Sequence, residues 1–166
     1  MPSFRTLPAI RSLALIAALL IALPSPASAA EPGPFDSLLG RWTGEGRLGF
    51  SEGKTETITC RATYFGGEDG QSLTQNLRCA SAGAKVEVKS ELKNNAGALE
   101  GTWSELIYNK AGQLTGEVTK GGYKINVKGE DLNANMEIIV RGDKQIIEIH
   151  FSNATLIGLT MVMNKG

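Results

Sequence analysis

Thr57-Ile58-Thr59-Cys60-Arg61-Ala62-Thr63-Tyr64-Phe65-Gly66-Gly67-Glu68-Asp69-Gly70-Gln71-Ser72-Leu73-Thr74-Gln75-Asn76-Leu77-Arg78-Cys79 reads as two strands about one turn. Ile58, Cys60, Ala62 and Tyr64 alternate with Thr57, Thr59, Arg61 and Thr63, the period of a strand with one buried face. Asp69-Gly70 suits the centre of a tight hairpin. A turn centred there sets Ala62 opposite Leu77 and Cys60 opposite Cys79. Facing residues of an antiparallel ladder have Cα atoms about 4.5–5.5 Å apart, within reach of a disulfide. These are the only cysteines. A bulge at Gly66-Gly67 would shift the register by one. A redox pair or a metal site is the alternative, but C-x-x-C spacing and a neighbouring histidine are both missing. A structural disulfide is the expectation, contributing roughly 3 kcal/mol in the chain-entropy description.

The same grammar extends in both directions. Breaks recur at Ser51-Gly53, Gly66-Gly70, Ser81-Gly83, Asn94-Gly97, Asn109-Gly112, Gly121-Gly122, Gly129-Asp131, Gly142-Asp143 and Asn153-Ala154. Nine breaks delimit about ten short strands. The inward sets are Trp42, Gly44, Gly46 and Leu48; Val86, Val88 and Leu92; Leu99, Trp103 and Ile107; Tyr123, Ile125 and Val127. Met136, Ile138 and Val140 continue them, then Ile147, Ile149 and Phe151, and finally Ile157, Leu159, Met161 and Met163. Pro34 to Leu39 has room for one short helical turn before the first strand. Tight connections between neighbours favour an all-β, ten-stranded, antiparallel up-and-down barrel, which hides the apolar face and leaves no open edge. A two-sheet sandwich is the alternative fold.

The first 29 residues differ from the rest. Arg5 and Arg11 precede an apolar run, Leu13 to Leu23, then Pro24-Ser25-Pro26 and Ala27-Ser28-Ala29. A basic start, an apolar core and an A-x-A site form a cleavable secretory signal, and the run is too short to span a bilayer. The expected organisation is a signal peptide, 1–29, and one domain, 30–166, soluble in the periplasm or secreted, with no membrane span after cleavage. The chain holds seventeen basic and seventeen acidic residues, so losing two arginines leaves the domain at about −2. Its basic residues are interleaved with acids, which argues against nucleic acid as a partner.

Small inner residues, Gly44, Gly46, Ala62, Gly101 and Gly116, have two readings. Either they permit the bends that closure requires, or they leave room for a ligand. Trp42, Tyr64, Gln75, Trp103, Glu105, Tyr123, Met136 and Phe151 are the candidate ligand-binding residues of the interior. Glu105 is read as a carboxylate at the rim or looking inward, and Gln75 as a second polar group. One histidine, paired cysteines and scattered carboxylates do not assemble a catalytic site, so no enzyme activity, metal or cofactor is expected.

Phe35-Asp36-Ser37-Leu38-Leu39-Gly40-Arg41-Trp42-Thr43-Gly44-Glu45-Gly46 resembles the opening of calycin barrels, the group of lipocalins, fatty-acid-binding proteins and nitrobindins. Its Leu-Leu-Gly-x-Trp-x-Gly-x-Gly run is most like nitrobindins. The resemblance implies a short helical turn, Gly-x-Trp on the first strand and a barrel. Two departures stand out. Lipocalins set an arginine near the chain end against the first-strand tryptophan, whereas this chain ends Met163-Asn164-Lys165-Gly166. Nitrobindins hold haem through a histidine on a late strand, whereas the alternation turns His150 outward. Ile58 to Ala62, Leu77 to Ser81 and Gly101 to Glu105 also resemble a family of small exported Gram-negative proteins without assigned activity. The functional expectation is a barrel that binds a small hydrophobic or amphipathic ligand. The alternatives are a solid-cored envelope protein that binds a protein partner, and an outer-membrane barrel with its apolar face outward.

Overall fold

A computed structural model describes residues 32–152 and 155–166. The expected signal, 1–29, lies outside the described residues. Ten strands follow in chain order: β1 Gly40–Phe50, β2 Thr55–Gly66, β3 Ser72–Ser81, β4 Lys85–Asn95, β5 Ala98–Glu105, β6 Lys110–Thr119, β7 Gly122–Gly129, β8 Asn133–Arg141, β9 Lys144–Phe151 and β10 Leu156–Lys165. Each pairs antiparallel with its chain neighbours, and β1 also pairs with β10, closing the barrel. Closure rules out the sandwich and leaves no edge strand. The apolar side chains point inward, among them Trp42, Leu99, Ile125, Ile138 and Met163. The outward rows carry charge, which overturns the inverted arrangement of faces.

Cys60 faces Cys79 and Ala62 faces Leu77, and the two sulfurs are bonded. The turn itself is wider than a two-residue hairpin. Gly67 N–H bonds the Ser72 carbonyl, and Gly70 N–H bonds the Gly67 carbonyl with Gly70 at φ 65°. Asp69 Oδ1 accepts from Gln71 N, Ser72 N and Ser72 Oγ at 2.8–3.1 Å. Because the wider loop keeps the same centre, the register is unchanged.

Three expectations need correction. Among the described residues there is no helix: 33–39 is a series of tight turns bonded from Asp36 N to Gly33 O, Leu38 N to Phe35 O and Leu39 N to Asp36 O. Ile107 lies in the β5–β6 loop and is 52 % exposed, because β5 stops at Glu105 and the break spans residues 106–109. Ile157 is also exposed, because the β1–β10 register shifts between Gly49 and Phe50, a bulge that turns one side chain over.

The inner glycines serve backbone approach. A Cβ on Gly44, Gly46, Gly101 or Gly116 would collide with a carbonyl oxygen of the neighbouring strand, respectively that of Val162, Thr160, Glu91 or Lys124.

Candidate functional site

One end of the barrel is covered by the chain that precedes β1. There the tight turns 33–39 fold across the strands. Trp42 Nε1–H donates to the Leu38 carbonyl at 2.6 Å, and Tyr123 Oη–H donates to the Pro34 carbonyl at 2.7 Å. Phe35 stacks on Tyr123 with centroids 5.9 Å apart, and Phe35 and Leu38 are both buried. Lys165 Nζ stands 5.5 Å from the Trp42 ring centroid.

A polar chain crosses the core just inside this plug. Ser90 Oγ–H donates to Gln75 Oε1 at 2.7 Å, Gln75 Nε2–H to Tyr64 Oη at 3.1 Å, and Tyr64 Oη–H to Gln145 Oε1 at 3.3 Å. Gln145 is completely buried, and its Nε2 has no hydrogen-bond partner. Burial pushes the Tyr64 phenol up to about 12, while its bonds with Gln145 and Gln75 pull the other way. Burial also raises the Tyr123 phenol. Beside the chain lies a cavity of about 30 Å³, lined by Tyr64, Gln75, Ser90, Tyr123, Met136 and Phe35 among others. That is room for a water or two. Ligand sites usually span about 300–1,000 Å³.

Two spaces of ligand size border Trp103, one of them a groove of about 600 Å³ along β4, β5 and β6 by Lys89, Glu91, Thr102 and Gln113. A crevice of about 340 Å³ lies between the β5–β6 loop and the β7–β8 turn, lined by Trp103, Tyr108, Ala111 and Leu132 with Glu105, Lys110, Glu130 and Asp131. Trp103 lies flat against β6 and β7, since a Cβ on Gly112 or Gly129 would strike its indole, and its Nε1–H reaches the Lys128 carbonyl at 3.3 Å. Leu106, Ile107 and Tyr108 form an exposed apolar lip.

Glu105 is neither a solvated rim carboxylate nor a free interior one. It is buried; its Oε1 accepts from Glu87 N at 2.9 Å and its Oε2 from Tyr108 N at 2.5 Å. Burial alone would raise its pKa, but backbone N–H groups of Glu87, Tyr108 and Ile107 outweigh it and hold the carboxyl below its ordinary value. Its role in this geometry is to fasten the loop that carries the lip.

The eight candidate residues therefore divide. Tyr64, Gln75, Tyr123 and Met136 meet around the small cavity, and Trp103 and Glu105 line the crevice. Trp42 and Phe151 line neither. Sequence reading missed Ser90 and Gln145. Both occupy inward positions of the alternation, Ser90 between Val88 and Leu92 and Gln145 two residues before Ile147, where a polar side chain breaks the apolar pattern. It also missed the crevice residues Tyr108, Lys110, Glu130, Asp131 and Leu132, which belong to loops that only closure brings together. His150 is exposed on the outer face. Among the described residues, no three His, Cys, Asp or Glu side chains gather as a metal site.

No protein-family model matches the sequence, and no curated protein matches it. Solved structures do. Rv2717c from M. tuberculosis aligns with a TM-score of 0.61 at 12% identity, covering 80% of this chain and 94% of that one. The S-type phycobiliprotein lyase CPES from Guillardia theta aligns with a TM-score of 0.57 at 12% identity, covering 80% and 90%. The likeness is one of fold. This chain is a closed ten-stranded antiparallel barrel similar in fold to both. Among the described residues no helix is long and apolar enough to cross a membrane, which says nothing of crossing by strands.

Proposed function

We propose that the protein is exported to the periplasm or beyond and binds a small hydrophobic or amphipathic molecule in the crevice over Trp103. The observation that carries this reading is an apolar crevice of ligand size. It offers about 340 Å³, against about 30 Å³ in the core, and the larger groove of about 600 Å³ beside it is lined by polar and charged side chains as much as by apolar ones. An indole, a phenol ring and Leu132 supply an apolar lining with charged groups at its edge, the usual composition of a small-molecule site. The disulfide suits an oxidising compartment. One structural neighbour of the same fold is named a phycobiliprotein lyase. We read binding here rather than catalysis. Both Glu105 oxygens are taken by backbone N–H groups, the cysteines are joined, and His150 faces outward.

A second reading rests on Leu106, Ile107 and Tyr108, each about half exposed, as a contact surface for an envelope protein. Titration of the purified full chain with neutral N-phenyl-1-naphthylamine, read as energy transfer from tryptophan, separates the two. Binding in the crevice gives a saturable signal that disappears in Trp103→Phe. An unresponsive, folded, disulfide-intact protein would leave only the contact surface. Mass and fractionation test export, which requires a chain shortened by its first 29 residues outside the cytoplasm.

A further inference from the structure

We infer that the crevice selects cationic amphiphiles, an apolar or aromatic body carrying an ammonium or guanidinium head. The inference rests on the crevice being a ligand site at all, and adds the sign of its ligand's charge.

Four ionisable groups line the crevice, and they do not cancel. Lys110 Nζ is 2.5 Å from Asp131 Oδ2, so these two neutralise each other, and that bond together with the nearby Glu130 holds the lysine in its charged form. Glu105 keeps its negative charge because backbone N–H groups stabilise the carboxylate. Glu130 is exposed at the β7–β8 turn and makes no ion pair among the described residues. Lys128 contributes its carbonyl, which accepts from Trp103; its own position on β7 is outward. The crevice therefore presents two uncompensated negative charges beside an indole and a phenol ring.

Each feature favours the same head group. A cation over the face of Trp103 or Tyr108 is attracted by the ring quadrupole. It also neutralises Glu130, which stands free to accept from it. An anionic head would face two carboxylates, and the one cation that could answer them is already held by Asp131. Glu105 has no oxygen left for a ligand, so it acts through its field, and Glu130 is the group a ligand would touch. The apolar body has Tyr108, Ala111 and Leu132 to lie against, continued by the lip at Leu106 and Ile107.

The test uses the full-length protein and three probes with one eight-carbon body: octyltrimethylammonium, octanol and octyl sulfate, each kept below its aggregation threshold. Binding is read from tryptophan emission at low salt, with Trp103→Phe as the blank. Glu130 at the exposed edge, screened nearly as in water, with the field of the buried Glu105 added, should make the cation bind about tenfold more tightly than the anion. The difference should shrink about threefold in Glu130→Gln, whose site is exposed and leaves the fold intact, and should fall as salt rises. Octyl sulfate binding as well as or better than octyltrimethylammonium would overturn the charge selectivity and leave the ligand site standing. No saturable response to any of the three would overturn both. An equal response in Trp103→Phe would place the binding elsewhere and overturn the inference as well.

Discussion

Tyr64→Phe removes one oxygen from the centre of the core chain, and the geometry sets what that should cost. The hydroxyl accepts from Gln75 Nε2 and donates to Gln145 Oε1, so two hydrogen bonds disappear and two buried amide groups each lose a partner. A net hydrogen bond contributes about 1 kcal/mol, and a buried polar group left without a partner costs about 1–3 kcal/mol. The expected loss is about 2–4 kcal/mol, large against the stability of a domain this size. Gln145→Met should behave oppositely. It deprives Tyr64 of its acceptor but also removes the partnerless Nε2 amide. These effects nearly offset, so the expected change is within about 1 kcal/mol of zero. In the double variant the second change should cost less than it does alone, with a coupling of about 1–2 kcal/mol. Urea denaturation of the four proteins, followed by circular dichroism with the disulfide intact, measures all the terms. If Tyr64→Phe were nearly neutral while Gln145→Met cost more than about 2 kcal/mol, the chain would be oriented otherwise than described, and the reasoning would fail.

Acid should loosen the lip. The Glu105 carboxyl sits below its ordinary value of 4.5 in the folded state, so its contribution is complete above that pH. It is lost as pH falls through the lower, folded value. Glu105→Gln should flatten that part of the stability profile, and hydrogen exchange at Tyr108 N should rise in it at neutral pH; unchanged exchange would contradict the clamp. Gly101→Ala places a Cβ against the Glu91 carbonyl and should destabilise the barrel by about 1–3 kcal/mol or more by overpacking. A melting temperature equal to the parent's would mean the strands can part there without cost. Lys165→Gln should cost about 0.5–1 kcal/mol by removing the cation over Trp42, with Lys165→Arg restoring it.

Much of this molecule was legible in its sequence because its rules are local. Alternation of apolar and polar residues separates inside from outside on each strand, and glycine and asparagine punctuation counts the strands. Asp69-Gly70 sets the centre of one hairpin well enough to pair Cys60 with Cys79, even though the turn there is wider than two residues. The Gly-x-Trp opening resembles that of calycin barrels, and the closed barrel which that resemblance implies is the one observed. Local rules did not reach what depends on elements distant in the chain. Whether small inner residues leave a void depends on how close neighbouring strands come, and only closure shows Gly44 and Gly101 pressed against facing carbonyls. Gln145 meets Tyr64 across the barrel, which no spacing along the chain announces. Lys165 covers Trp42 from the far end of the sequence. The crevice exists because two loops, 106–109 and 130–132, meet at one rim. The sequence by itself determined a strand count, an inner face and a disulfide, since each follows from residues near one another in the chain. Tertiary structure alone decided that a small cavity lies beside the polar chain of the core and an apolar crevice of ligand size beside Trp103, because volume and charge there are summed over residues that only folding brings together.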